Sequence, residues 1–279
     1  MIEIKAHAKL NLSLDVVGKR PDGYHNLCSI MQSVRLADDI TIRRNPDISI
    51  LCDAKYVPMD QQNTAYRAAK LFLDEAKQDG GVSIRIRKRI PVGGGMGGGS
   101  ADAAAVLMGM NKLFGYPFSF KKLKEIGLRC GADVPFCMTG GTCLAEGLGE
   151  ILTPLPAMPR CSILLVRPRF PLNTKQMFSG VKMDAITCHP DTEGIINAVY
   201  NRDLKGICDR MYNNLEAFVP RKEIAIYKEL LQKNDAMGAL MTGSGSVVFG
   251  IFSSFEKARI AAEAFRALPV HTYITTPLA

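Results

Sequence analysis

The sequence predicts two α+β domains, the first of them carrying a phosphate-binding loop. Strand-like and helix-like patterns are mixed without the steady alternation of a doubly wound sheet. The 279 residues exceed one minimal domain, and a Pro-rich stretch at 153–160 marks a boundary. Six of the seven residues from 93 to 99 are glycine. We therefore expect domains at 1–155 and 156–279.

The elements follow in order. Ile2, Ile4, Ala6, Ala8, Leu10, Leu12 and Leu14 alternate with Glu3, Lys5, His7, Lys9, Asn11 and Ser13. Period two predicts a half-buried strand, with Lys9 and Asn11 on one face about 7 Å apart. Pro21-Asp22-Gly23 is turn chemistry. Residues 29–36 and 39–44 read as two short strands, 64–78 as a helix, and 82–89 as a strand. Helices are expected at 101–114 and 120–130. Beyond the boundary come a buried strand at 161–166 and helical stretches near 174–180, 193–218 and 223–233. Strands at 240–241 and 246–251 flank a second glycine loop, before a helix at 255–268 and a strand at 271–275.

Composition excludes several classes. Hydrophobic residues are 47% and charged residues 22%, so a core can be buried. No apolar run reaches the roughly 20 residues that span a bilayer, and the start lacks a signal peptide's apolar core and cleavage site. A cytoplasmic chain without membrane attachment is expected. Eight cysteines, none spaced C-x-x-C, read as the free thiols of a reducing compartment. The net charge of +8 fits an anionic small molecule or a solvated face. The basic clusters at 85–89 and 121–124 lack interleaved aromatics, and the chain has no Trp, which argues against nucleic acid. A monomer or weak homodimer is expected.

The chemistry concentrates between Lys88 and Ala105. Glycine lets backbone approach a ligand closely, and Ser100 stands where a cap would precede an Ala-rich helix. Free N–H groups and the dipole at a helix start favour an anion. A Walker A loop is excluded, because no lysine lies between Gly93 and Ser100. A dinucleotide fingerprint matches at Gly93, Gly95 and Gly98, but the acidic residue it needs about 20 positions on is missing from 112–117. A flexible hinge before an ordinary helix is the plain alternative.

The run Pro-x-Gly-Gly-Gly-x-Gly-Gly-Gly-Ser-x-Asp-Ala-Ala from Pro91 resembles the ATP-binding motif of the GHMP kinases. Ala8-Lys9-Leu10-Asn11-Leu12, Gly131-Ala132-Asp133-Val134-Pro135-Phe136 and Thr242-Gly243-Ser244-Gly245 resemble three further family segments, in order. Gly18-Lys19-Arg20-Pro21-Asp22-Gly23-Tyr24-His25 resembles the branch whose substrate is cytidine diphosphate-linked methylerythritol. The resemblance covers essentially the whole chain. It implies an S5-like N-terminal domain, a ferredoxin-like α+β C-terminal domain, and phosphoryl transfer from ATP with Mg2+.

The resemblance also implies roles for residues. Asp133 is the general base, and Lys9 orients it and offsets phosphoryl charge; the alternative is a structural ion pair. ATP is held by Pro91, Gly93, Gly94, Gly95, Gly97, Gly98, Gly99 and Ser100, with Asn63 and Lys88 flanking adenine. The alternative for Lys88 is a solvated basic edge. Asn11, Tyr24, His25, Met31, Thr174 and Phe178 bind the substrate, with Tyr24, His25 and Met31 around cytosine; Phe178 reads also as core. Ser100 reaches magnesium, with Asp102 a further candidate. The Gly243-Ser244-Gly245 loop touches phosphates or is a plain hairpin turn. The rivals are a GHMP kinase for a sugar, homoserine or mevalonate, an S5-like nucleic-acid-binding protein, and a dehydrogenase.

Overall fold

A computed structural model describes residues 1–279. The elements are β1 (Ile2–Lys19), β2 (His25–Asn45), β3 (Ser49–Cys52), α1 (Thr64–Ala76), β4 (Gly81–Arg87), α2 (Gly98–Leu113), α3 (Phe120–Cys130), α4 (Val134–Thr139), β5 (Thr142–Gly147) and β6 (Ile151–Leu155). They continue with β7 (Ser162–Pro168), α5 (Thr174–Ser179), α6 (Thr192–Tyr200), α7 (Leu204–Asp209), β8 (Tyr212–Asn213), α8 (Glu223–Lys233), β9 (Gly238–Met241), β10 (Val248–Phe252), α9 (Phe255–Glu263) and β11 (Val270–Thr275).

Two compact units interleave along the sequence. The first comprises Met1–Ala8, Leu36–Val92 and Gly97–Thr139; the second comprises Lys9–Arg35, Gly93–Met96 and Gly140–Ala279. Residue 155 falls inside the second unit, at the end of β6. The Pro-rich stretch did not stop the chain there, because Pro154 sits on a strand that pairs only with β5 and needs no further donor.

In the first unit β2 runs antiparallel to β4, from Asp39↔Arg87 to Asn45↔Gly81, and β3 runs parallel to β4. The two short strands expected at 29–36 and 39–44 are one continuous strand. The polar Asp38 between them is not a turn residue; its carboxylate is buried and accepts backbone N–H groups of Arg89 and Ile90. Helix α1 buries Ala65, Ala68, Ala69, Phe72 and Leu73, and packs on α2 through that small-residue face. Ser119 caps α3 by accepting the Lys122 N–H at 3.3 Å.

In the second unit β5 runs antiparallel to β2, from Leu27↔Gly147 to Gln32↔Thr142, and β8 runs parallel to β1. A separate antiparallel sheet has the order β11-β7-β10-β9, the ferredoxin-like arrangement. Leu164, Val166, Tyr227, Leu231, Val248, Phe252 and Phe265 belong to its core cluster. The helix expected over 193–218 is broken into α6, α7, β8 and a 3-10 turn at Asn214–Phe218. Arg202 takes a left-handed φ of 53°, and Asp203 caps a new helix by accepting the Gly206 N–H.

Strand β1 departs from its expected pattern. Its polar face is exposed only at the start, at Glu3 and Lys5. Lys9, Asn11, Ser13 and Asp15 are buried along with Leu10, Leu12 and Leu14. Burial also pushes the Cys130 thiol up to about 11 and those of Cys161 and Cys208 up to about 12. No helix is long and apolar enough to cross a membrane.

Ser119→Ala removes the α3 cap. It should lower stability by about 1 kcal/mol in urea denaturation, while Ser119→Asp should retain most of it.

Candidate active site

The second unit holds the buried polar stripe of β1. Lys9 Nζ donates to Asn11 Oδ1 at 2.8 Å. The Asn11 side-chain nitrogen donates to Ser29 Oγ at 2.8 Å, and that hydroxyl donates to the Ser13 carbonyl at 2.5 Å. The Asn11 backbone N–H goes to Thr242 Oγ1 at 3.1 Å. Each group fixes the next, so the amide of Asn11 has one orientation, its oxygen toward the lysine. The structure thus makes Asn11 a partner of Lys9.

Two glycine segments close on this stripe. The Lys9 N–H donates to the Met96 carbonyl at 3.1 Å, and the Val247 N–H to the Gly94 carbonyl at 3.2 Å. Gly95 has φ +75°, and a Cβ there would stand 2.3 Å from the Thr242 carbonyl oxygen. Gly243 has φ +55°, and its Cβ would stand 3.3 Å from Lys9 Nζ. Backbone therefore lies where side chains cannot fit.

The turn at Pro21-Asp22-Gly23 forms as expected, with the Tyr24 N–H on Asp22 Oδ1 at 3.1 Å. It leaves Tyr24 exposed and His25 buried. The His25 ring lies 5.8 Å from that of Phe178, tilted by 31°, and its Nε2 has no hydrogen-bond partner. Burial, followed by the Lys19 charge, holds the imidazole below its ordinary 6.5. Phe178 also packs on the second sheet's core, and Thr174 Oγ1 lies 2.8 Å from Ser244 Oγ. Met31 is buried in β2 opposite Cys143.

The first unit holds the helix side of the glycine run. Helix α2 begins at Gly98, three residues before its expected start. Gly97 at φ +69° takes the cap position, so Ser100 lies in the first turn. The first N–H groups of such a helix have no intrahelical acceptor. Thr64 Oγ1 donates to the Gly99 carbonyl at 2.8 Å. Asn63 caps α1 through its Oδ1 and donates to the Pro58 carbonyl at 2.7 Å. Asp133 is half-buried just before α4, its carbonyl accepting the Cys137 N–H at 3.0 Å. A Cβ on nearby Gly131 would stand 3.7 Å from Ser100 Oγ, so Ser100 and this turn are neighbours.

Lys88 is clamped. Its Nζ lies 2.5 Å from Asp38 Oδ2 and 2.8 Å from Asp102 Oδ2, all three side chains buried. Burial works against the ammonium, but the two carboxylates outweigh it and raise its pKa. Burial, with the Asp38 charge adding to it, raises Asp102 from 3.8 to about 7 despite Lys88. Its Oδ1 has no partner. Asp38 carries no local cue beyond being an acid between two apolar strand patterns.

The comparisons with known proteins agree with this geometry. The GHMP kinases N terminal domain matches residues 63–141, and the GHMP kinases C terminal domain matches 195–271. A 4-diphosphocytidyl-2-C-methyl-D-erythritol kinase of Acetivibrio thermocellus is 44% identical over 98% of this chain and 98% of its own. The chain belongs to the GHMP kinase family. A kinase of the same name from Clostridium perfringens is 46% identical over 94% of this chain and 92% of its own. The crystal structure of a 4-(cytidine 5'-diphospho)-2C-methyl-D-erythritol kinase superposes with a TM-score of 0.84 at 34% identity, covering both chains fully. A homoserine kinase from Cytophaga hutchinsonii, at 18% identity and a TM-score of 0.77 over 100% of this chain and 94% of its own, shares the fold.

This GHMP kinase is thus an ATP-dependent small-molecule kinase of mixed α+β fold. Its glycine run is divided, Gly93–Met96 belonging to the second unit and Gly97–Gly99 to the first. Sequence reasoning missed Asp15, Asp38, Asn213 and Asn214. The adjacent asparagines were the available signal, since paired Asn in an apolar stretch needs buried partners.

Asp102 gives a stability signature. Its folded pKa is raised, so the folded state holds a proton that the unfolded chain releases. Its contribution to stability should be fully present below about 4, fall as pH rises toward 7, and be gone above it. Asp102→Asn should flatten that slope in thermal melts across pH 4–8, whereas an unchanged slope would place the proton elsewhere.

Proposed function

We propose that the chain transfers the γ-phosphoryl group of ATP to the 2-hydroxyl of 4-diphosphocytidyl-2-C-methyl-D-erythritol, on the non-mevalonate route to isoprenoids. The observation that carries the substrate is His25, buried against Phe178 with an unpartnered Nε2 and an exposed Tyr24 before it. An aromatic pair suits a flat base, and a neutral imidazole nitrogen suits its hydrogen-bonding edge. The relatives that span nearly the whole chain carry the name of that kinase, which supports the same reading.

The chain's own groups divide the work. Asp133 accepts the proton leaving the attacking hydroxyl. Lys9, oriented by Asn11, offsets charge on the phosphoryl oxygens. The glycine backbone and the start of α2 hold the polyphosphate. Asn63 and Lys88 flank adenine, Lys88 with its ammonium already held by Asp38 and Asp102. Thr174 and Met31 belong to the substrate side.

Magnesium fits this donor set. It needs few protein ligands when phosphates supply the rest, and the chain has no cluster of three acidic, His or Cys side chains that could hold a metal alone. The Ser100 hydroxyl, in the first turn of α2, is the group we assign to it. Bound there, the ion supplies neutralisation of phosphate charge. Residues 1–155 would then serve ATP and 156–279 would complete the substrate side, in a cytoplasmic monomer or weak homodimer.

The test is ADP release and product mass with Mg-ATP and this substrate. Asp133→Asn should lower kcat by about 10²–10⁴-fold. His25→Ala should raise KM for the cytidine-bearing substrate about tenfold while leaving KM for ATP unchanged. Because His25 is neutral at pH 7, that KM should be flat above pH 6.5 and rise only below it. Turnover of another alcohol in place of this one would keep the kinase and overturn the substrate.

A further inference from the structure

We propose that Asn213 is a positioning residue for Lys9, acting through the backbone of Gly243. This rests on the reading of Lys9 as part of the catalytic pair. Asn213 is buried at the end of β8, where pairing with β1 sets it opposite Leu14. Its amide nitrogen donates to two carbonyl oxygens, of Met241 at 2.8 Å and of Gly243 at 2.9 Å. Its Oδ1 accepts the Leu215 N–H at 3.0 Å. Both side-chain N–H bonds are therefore spent on the backbone on either side of Thr242.

That backbone is what Lys9 and Asn11 meet. Thr242 Oγ1 receives the Asn11 N–H. At Gly243, an added Cβ would lie 3.3 Å from Lys9 Nζ, 3.5 Å from Asn11 Oδ1 and 2.8 Å from the Gly95 carbonyl oxygen. Gly243 thus lies beside the Lys9–Asn11 hydrogen bond, too close for a side chain to stand between them. Movement outward is opposed by the Asn213 amide. The lysine itself holds a flexible four-carbon stem, so the position of its ammonium depends on such neighbours.

Glu216 supplies an internal control. Its Oε1 accepts the Met241 N–H at 2.7 Å, and its Oε2 pairs with Lys228. It steadies the same strand end from the other side without any bond to Gly243. A purely structural role for Asn213 predicts that both residues behave alike.

The experiment compares Asn213→Ala, Asn213→Asp and Glu216→Ala by steady-state kinetics, thermal melting and crystallography. Asn213→Asp keeps the shape but turns an acceptor toward the two carbonyls. We expect kcat to fall about ten- to a hundredfold in both Asn213 variants, with either KM changing less than about threefold, and Gly243 to shift by about 1 Å. Glu216→Ala should melt at lower temperature yet hold kcat within about twofold. Equal kcat losses at matched stability in the Asn213 and Glu216 variants would overturn the proposal, as would an unmoved Gly243 in the variant structure. The crystallographic arm needs no substrate. A wild-type enzyme that prefers another alcohol would correct the substrate reading and leave this comparison intact.

Discussion

The Asn11 amide, with its oxygen toward Lys9 and its nitrogen toward Ser29, is the constraint around which the second unit is arranged. Its strand is buried on both faces, so every polar group there must find a partner inside the protein. Ser29 passes the chain on to the Ser13 carbonyl, and Ser13 Oγ takes the Ile30 N–H at 3.1 Å. Thr242 takes the strand's own N–H. Asp15 continues the stripe, holding His189 at 2.9 Å and Asn214 at 2.5 Å. An amide flipped at Asn11 would set nitrogen against ammonium and oxygen against a hydroxyl that already donates elsewhere. One orientation survives, and with it one place for the lysine head.

The same logic explains why glycine is required at two separated points. Gly95 and Gly243 both bring backbone against backbone, with Thr242 and Gly95 carbonyls within reach of any added Cβ. The first of these stood out plainly, because six glycines in seven positions point to backbone in close approach. The second was ambiguous, since Gly243-Ser244-Gly245 reads equally as a hairpin turn. The loop does join the antiparallel β9 and β10, and its place beside β1 comes from a contact across more than two hundred residues, Thr242 Oγ1 accepting the Asn11 N–H, which no local pattern carries. The alternation of β1 was legible for a similar reason to the glycine run, being periodic. Its burial was not, because a polar stripe on a strand looks solvent-facing until its partners are known. Asp38 misled in the opposite direction. An acid between two strand patterns suggests a break, yet its buried carboxylate takes two backbone N–H groups and lets β2 continue.

Two lysines illustrate how environment assigns different work to one residue type. Lys88 sits between Asp38 and Asp102, buried with them, and the carboxylates hold it charged. A buried ion pair of this kind contributes little net stability over an apolar replacement, because desolvation offsets the attraction. Its effect is geometric. Asp38 holds the Lys88 ammonium and the N–H groups of Arg89 and Ile90 together, so the chain leaves β4 in one direction toward the glycine run. Asp102, in the first turns of α2, ties the same ammonium to the helix. Lys9 donates to the neutral amide oxygen of Asn11, which fixes the direction of its ammonium.

The fold by itself does not choose the alcohol. The homoserine kinase shares it at 18% identity, and site chemistry rather than architecture separates enzymes of one fold. In this chain the Asn11 amide and the Lys88 ammonium find their partners inside the protein. His25 differs, because its Nε2 is buried without a partner inside the protein. An unpaired buried donor or acceptor costs about 1–3 kcal/mol, and a site that keeps one is complementary to something the folded chain lacks. A partner that satisfies this nitrogen recovers that cost on binding, while one without the matching group leaves it in place. On the proposed reading, discrimination falls on the turn at Tyr24 and His25 and on the Phe178 ring.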